Sequence, residues 1–183
     1  MPAQHTEWTA ELVRALPDDG RRYEVLDGAL LVSPAPSWDH QRVTKELVLV
    51  LDAWLRRTGL GEAMISPADV EFSPRRLLQP DLFVIPAAER RPRDWQDVKA
   101  LLLAVEVVSP ATARADRGAK RIIYQDEQVP EYWVVDLDAR LVERWRPEEE
   151  RPEIIAGTLR WDPRPGTPPL EIDLPALFSR ALD

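Results

Sequence analysis

The stretch LLLAVEVVSP, residues 101–110, constrains the fold more than any other part of the chain. Seven aliphatic residues enclose one acid, Glu106, and the run stops at Ser109-Pro110. An apolar run this short, ended by a turn signal, reads as a strand buried on both faces. An unpaired carboxylate in such a strand costs several kcal/mol unless it is paired, metal-bound or protonated. Glu106 therefore has a partner, or it stands where the strand opens into a site, and the ends of central strands are where sites are built.

The elements around that strand predict a mixed α/β sheet with helices packed on it, in a single domain. Residues 6–16 read as a short helix with Thr6 as a possible cap and Pro17 behind it. RRYEVLDGALLVSP reads as two strands, 23–26 and 29–32, joined at Asp27-Gly28. SWDHQRVTKELVLVLDAWLRRTG is the strongest helix: Val43, Leu47, Leu51 and Leu55 recur at helical spacing, Val50 and Trp54 widen the stripe, and Gly59 ends it. Strands follow at 63–65, 70–72 and 82–85, then a polar loop at 86–97. Beyond the opening strand come a helix at 113–127 and two strands joined by a turn at 137–139. The tail, 147–183, is rich in proline and acid; it suggests a small sheet (154–155, 159–161, 170–172) and a last helix at 176–181.

Composition removes several kinds of chemistry. There is no cysteine, hence no disulfide, thiol nucleophile or thiolate metal site. With only His5 and His40, a histidine-rich zinc site is nearly excluded. No apolar run is long enough to span a membrane, and the N-terminus lacks a basic start and an apolar signal core. A cytoplasmic location is the simple reading. The net charge of -8 argues against non-specific nucleic-acid binding. It hides a basic segment, however: between Ala111 and Ile122 stand Arg114, Arg117, Lys120 and Arg121 against Asp116 alone.

Glu106 has a second acid to meet. QPDLFVIP places Asp81 at the start of another apolar strand, and if the two strands are neighbours the carboxylates converge. Two close carboxylates repel, so one is protonated or both share a cation. All-oxygen coordination suits Mg²⁺ or Mn²⁺, with the Val107 carbonyl as a further oxygen. Lys120, one of three lysines, lies on the helix after the Glu106 strand and can fold back over its end, where a cation would stabilise charge developing on a phosphoryl group.

YEVLDG, VSPAPSWDHQRV, PDLFVIP and VEVVSPATARADRGAKRIIYQDEQVPEYWVVD together resemble the Uma-two family, restriction-endonuclease-like proteins of the PD-(D/E)XK nuclease superfamily. The resemblance covers most of residues 20–146; the extension 147–183 carries no motif of it. It implies a restriction-endonuclease-like mixed β-sheet flanked by helices, a divalent-metal site and hydrolysis of a phosphodiester, with DNA as partner. By motif position Asp81 is the PD aspartate, Glu106 the following acid, and Glu24 an early glutamate that adds a carboxylate. The superfamily pattern places lysine two residues after the acid; that position is Val108 here, and Lys120 matches the lysine that the family carries on the next helix. Because cutting a duplex usually takes two active sites, a homodimer is expected.

Each residue also has a plainer reading. Glu106 suits an arginine pair at a strand end, Asp81 a backbone bond at a strand start, and Glu24 a pair with Arg21 or Arg22. His40, just before the long helix, would cap or orient the site, or be a satisfied buried histidine. Tyr124, four residues after Lys120, suits core packing or a supporting hydrogen bond, and Asp116 a pair with Lys120 or Arg117. At the level of function, the alternatives to a metal-dependent nuclease are a catalytically inactive binding or regulatory protein on the same fold, and a small-molecule phosphohydrolase.

Overall fold

The structure is a computed structural model that describes residues 7–89, 95–98 and 100–183. A short helix, α1 (Ala10–Arg14), is capped by Thr9, whose side chain accepts from the Leu12 N–H. It is shorter than the expected 6–16, and the expected cap, Thr6, lies outside the described residues, as does His5. The hairpin β1 (Arg22–Leu26) and β2 (Ala29–Ser33) turns at Asp27 and Gly28, both with positive φ (50° and 87°), as a two-residue primed turn requires. The long helix α2 (Trp38–Thr58) is capped by Ser37 and closed by Gly59 in the left-handed conformation (φ 71°).

Four strands follow: β3 (Gly61–Ile65), β4 (Val70–Ser73), β5 (Arg76–Leu78) and β6 (Leu82–Pro86). β5 was not foreseen; three residues between prolines are too few to show an alternation. The stretch expected as a polar loop, 86–97, contains two single 3-10 turns, Ala87–Glu89 and Trp95–Asp97, and its centre, 90–94, lies outside the described residues. The opening strand is β7 (Leu103–Val108). The helix expected at 113–127 is built in three parts: α3 (Ala113–Ala115), a π-turn (Asp116–Lys120) and α4 (Arg121–Asp126). Then come β8 (Tyr132–Asp136), β9 (Leu141–Trp145), β10 (Glu153–Ile155), β11 (Thr158–Trp161), β12 (Leu170–Asp173) and α5 (Leu174–Leu182).

The main sheet runs β10-β9-β8-β7-β6-β3. β7 and β8 pair parallel, their crossover being the α3–α4 segment, and the other pairs are antiparallel. A second sheet, β2-β1-β5-β4, and the hairpin β11-β12 complete the fold. All six residues of β7 are buried, as a central strand covered on both faces must be. On one face Leu103, Val105 and Val107 meet the α2 stripe (Val43, Leu47, Leu51, Leu55, Trp54), α5 and the β11-β12 hairpin. On the other, Ala104 and Val108 lie with Phe83, Ile85, Ile123, Tyr124 and Tyr132. The tail therefore does not form one small sheet of its own: β10 extends the main sheet, while Leu159, Trp161, Leu177 and Phe178 belong to the main core. Among the described residues no helix is long and apolar enough to cross a membrane.

Candidate active site

Strand alternation brings the acids together. On β7, Ala104 and Val108 belong to the second core face, so Glu106 between them points the same way. On β6, Phe83 and Ile85 share that face, and Asp81 continues the same alternation. Leu82 pairs with Val105, so one further step of the antiparallel register sets Asp81 opposite Glu106. Directly opposite residues hold their Cβ atoms about 5 Å apart. The Val107 N–H donates to Asp81 Oδ2 at 2.8 Å, which ties the two strand ends to each other. The hairpin β1-β2 contributes two more residues from one strand face: Arg22 and Glu24.

Lys120 stands among the carboxylates. Its Nζ lies 3.0 Å from Glu106 Oε1, 3.0 Å from Glu24 Oε1 and 3.3 Å from Asp116 Oδ1. The residue is 0% exposed. The π-turn sets Asp116 and Lys120 side by side and buries both; such turns recur at functional sites. Tyr124, on α4, donates its hydroxyl to Glu106 Oε1 at 3.2 Å and is also core, its ring 4.6 Å from that of Tyr132. The Tyr132 hydroxyl in turn donates to the Asp116 carbonyl at 3.0 Å. Glu24 accepts the Gln79 N–H at 2.8 Å.

Asp81 has its own partners. Arg22 Nη1 reaches Oδ1 at 2.5 Å, and His40 Nε2 lies 2.9 Å from Oδ2. His40 sits in the first turn of α2 rather than before it; Ser37 is the cap, and His40 supplies the capped N–H. Thr44, one turn on, donates to the His40 carbonyl at 2.8 Å.

The electrostatics pull the two acids apart. Burial raises the Asp81 carboxyl, but the bond to His40 and the charges of His40, Arg22 and Lys120 outweigh it, and the group is pushed down to about 2. Burial drives Glu106 well above its ordinary value; Lys120 opposes this, while Asp81, Asp116 and Glu24 add to it. Asp116 is raised as well, mainly by burial. Lys120 is raised because the charges of Glu106, Glu24 and Asp116 together overcome a desolvation that alone would lower it. Opposite shifts of two acids in one cluster are a feature that functional sites share with structural ion networks.

The cluster suits a divalent cation on two counts. Four buried carboxylates, Glu24, Asp81, Glu106 and Asp116, face two permanent cations, Arg22 and Lys120, leaving two negative charges unmatched if all four ionise. Glu24 Oε2 is a buried oxygen with no hydrogen-bond donor, and oxygen donors are what Mg²⁺ and Mn²⁺ take. The residues fit the ion by chemistry. No three acidic or histidine side chains among the described residues converge as a ready-made cage, so Asp81 would trade a present partner for the ion.

All eight residues singled out from the sequence — Glu24, His40, Asp81, Glu106, Val107, Asp116, Lys120 and Tyr124 — fall in this one cluster, Val107 meeting Asp81 through its N–H. Arg22 was missed as a site residue. Its only signal was a spacing of two from Glu24 on one strand, and the acid it contacts is 59 residues away. The basic segment 111–122 does not form an open cationic face: Arg117 is paired with Asp136 and Glu143 at 2.6 Å each, and Arg121 lies over the Trp145 ring.

Two pockets open on the cluster. The larger, about 480 Å³, is lined by Arg22, His40 and Asp81 together with Arg21, Gln41 and Gln79. The smaller, about 240 Å³, is lined by Arg22, His40 and Val107 together with Ser109, Pro110 and Thr112.

Comparison with known families finds a match over residues 10–175 to Uma2, described as "Putative restriction endonuclease". Among solved structures the chain is similar to a "putative nuclease belonging to DUF820 from Anabaena variabilis ATCC 29413", with a TM-score of 0.77 and 20% identity over 95% of this chain and 99% of that one. At that identity the likeness speaks for the fold. No curated protein matches.

Proposed function

Because the chain belongs to the Uma2 family, we propose that it hydrolyses phosphodiester bonds with the help of a divalent cation, and that DNA is its substrate. The observation that carries this reading is the meeting of Asp81, Glu106 and Lys120 from three separate elements at one buried point. Asp81 and Glu106 would hold Mg²⁺ or Mn²⁺, with Glu24 and the Val107 carbonyl as further oxygens. The bound ion would supply Lewis-acid polarisation of the phosphoryl oxygen and a more acidic water.

In this reading the protein's own groups divide the remaining work. Asp81 stays anionic down to about pH 2 and is the one acid of the cluster that lines the larger pocket. Lys120 is held as an ammonium by its acidic neighbours, so it donates: it orients the attacking water and stabilises charge building on the phosphoryl oxygens. Tyr124 keeps Glu106 in place through its hydroxyl, and His40 does the same for Asp81. The water oxygen bonds to phosphorus as one ester bond breaks, and the departing oxygen takes a proton. A second copy of the chain would supply the second site that cutting both strands of a duplex requires.

The test is nicking of supercoiled plasmid with Mg²⁺ or Mn²⁺, alongside Asp81→Asn and Glu106→Gln. Cleavage that needs the metal and falls at least roughly a hundredfold in each variant is expected. A wild type that neither cleaves nor binds Mn²⁺ by calorimetry would sink the proposal. One observation favours a second reading, that of a non-catalytic binding protein: Asp81 already has three donors and Lys120 is sealed from solvent, as in a purely structural ion cluster. The calorimetry decides between the two.

A further inference from the structure

We propose that Arg22 is the phosphate-binding residue of this site, parked on Asp81 until a substrate phosphodiester draws it away. The inference rests on the phosphodiesterase reading and assigns a residue that neither the family resemblance nor the acid–lysine pattern includes. Arg22 borders both pockets, and Asp81, its partner, borders the larger. A substrate lying across the two pockets therefore passes over the Arg22 guanidinium.

Its hydrogen bonding is incomplete in a telling way. Nη1 is spent on Asp81 Oδ1 at 2.5 Å, while Nε is buried with no partner. The side edge of a guanidinium, made of Nε and one terminal nitrogen, is the edge that grips two oxygens of one phosphate. An unmatched buried donor costs free energy, and a phosphate oxygen at that position removes the cost. The other buried cation is less free to move, because Lys120 stands against three carboxylates and is fully buried, whereas Arg22 forms an ion pair with Asp81 alone and its side chain is 15% exposed. Turning Arg22 from Asp81 to a phosphate also releases an Asp81 oxygen, the change that the carboxylate needs in order to ligate a cation. Substrate and metal would then each favour the other, since both compete with the same resting ion pair.

The test separates charge recognition from general packing. Two probes are titrated into the full chain in EDTA: the dinucleotide thymidylyl-thymidine and its uncharged methylphosphonate analogue. Wild type is expected to prefer the charged probe, and Arg22→Gln to bind that probe about tenfold more weakly or worse while leaving the neutral one unchanged. Arg22→Lys, which keeps the charge but not the fork, should fall between them, and it decides the matter if the glutamine variant does not fold. Mn²⁺ binding by calorimetry gives a second readout: Arg22→Gln frees Asp81 and should tighten the ion severalfold. Equal binding of both probes by wild type, or an unchanged charged-probe affinity in Arg22→Gln or Arg22→Lys, overturns the proposal even if plasmid nicking proceeds. Arg22-dependent probe binding without any metal-dependent cleavage would instead retain Arg22 as an anion site and overturn the nuclease reading.

Discussion

At the scale of single residues, the balance between Glu106 and its neighbours decides how the site behaves without metal. Glu106 is 1% exposed and raised well above its ordinary value of 4.5, with burial as the main cause. Above about pH 4.5 an unfolded chain gives up this proton while the folded one keeps it. The folded state then binds more protons, so stability falls as pH rises through that window until the buried carboxyl ionises. Glu106→Gln removes this loss and keeps a group that can accept from Lys120 and Tyr124. In EDTA the melting temperature of the variant minus that of wild type should therefore widen between about pH 5 and about pH 8; a gap that stays constant over that range would contradict the raised carboxyl. That Glu106 needed a partner was legible in the sequence, because a lone acid among seven aliphatic residues has no cheap solution. Which partner was less legible. Lys120 lies 14 residues on, across a π-turn that periodicity alone does not reveal, and Arg22 reads only as a neighbour for Glu24 at the start of a hairpin until its distant counter-ion is known.

Among the elements, those at the end of the chain hold the main core closed. β11 alternates exposed and buried residues, with Leu159 and Trp161 inward, and β12 does the same with Leu170 and Ile172. That alternation was readable and gave the strands. It could not say what they cover, since strands of four residues carry no address for their partner. In the structure Trp161 packs 5.3 Å from the Trp54 ring of α2 and 6.0 Å from the Trp133 ring of β8, and is 1% exposed. Trp54 also donates to the Pro168 carbonyl at 3.0 Å, in the β11-β12 connection. Residues 147–183 are thus part of the fold and not an appendage. Trp161→Ala should cost on the order of 3–5 kcal/mol, read as a lower urea midpoint. Because Trp161 lies in the core face opposite Glu106, affinity for Mn²⁺ in the remaining folded protein should not change; a stability loss under about 1 kcal/mol would mean that the hairpin is peripheral.

For the whole molecule, the question that the proposed function raises is how a chain of net charge -8 would approach a polyanion. Among the described residues a broad basic surface is not how. Several of its arginines are already bound to acids: Arg76 to Asp27, Asp126 and Glu127, Arg117 to Asp136 and Glu143, and Arg144 to Glu153. Each such pair is close to neutral beyond a Debye length of about 10 Å at 0.1 M salt, so the +3 count of the 111–122 segment has little reach. At the mouth of the pockets stand Arg22, held by Asp81, and Arg21, 3.6 Å from Asp19, with Asp18 beside them. Contact with one or two phosphates then follows, in place of the row of contacts that a groove-tracking protein makes. Binding of a short single-stranded oligonucleotide in EDTA, measured across a range of salt, should give a log–log slope between roughly -0.7 and -1.4, about -0.7 for each phosphate neutralised. Self-repulsion between two acidic partners flattens the dependence further, since added salt screens that repulsion too. A slope steeper than about -3 would require four or more phosphates to be neutralised, and so a cationic surface wider than the pocket mouth.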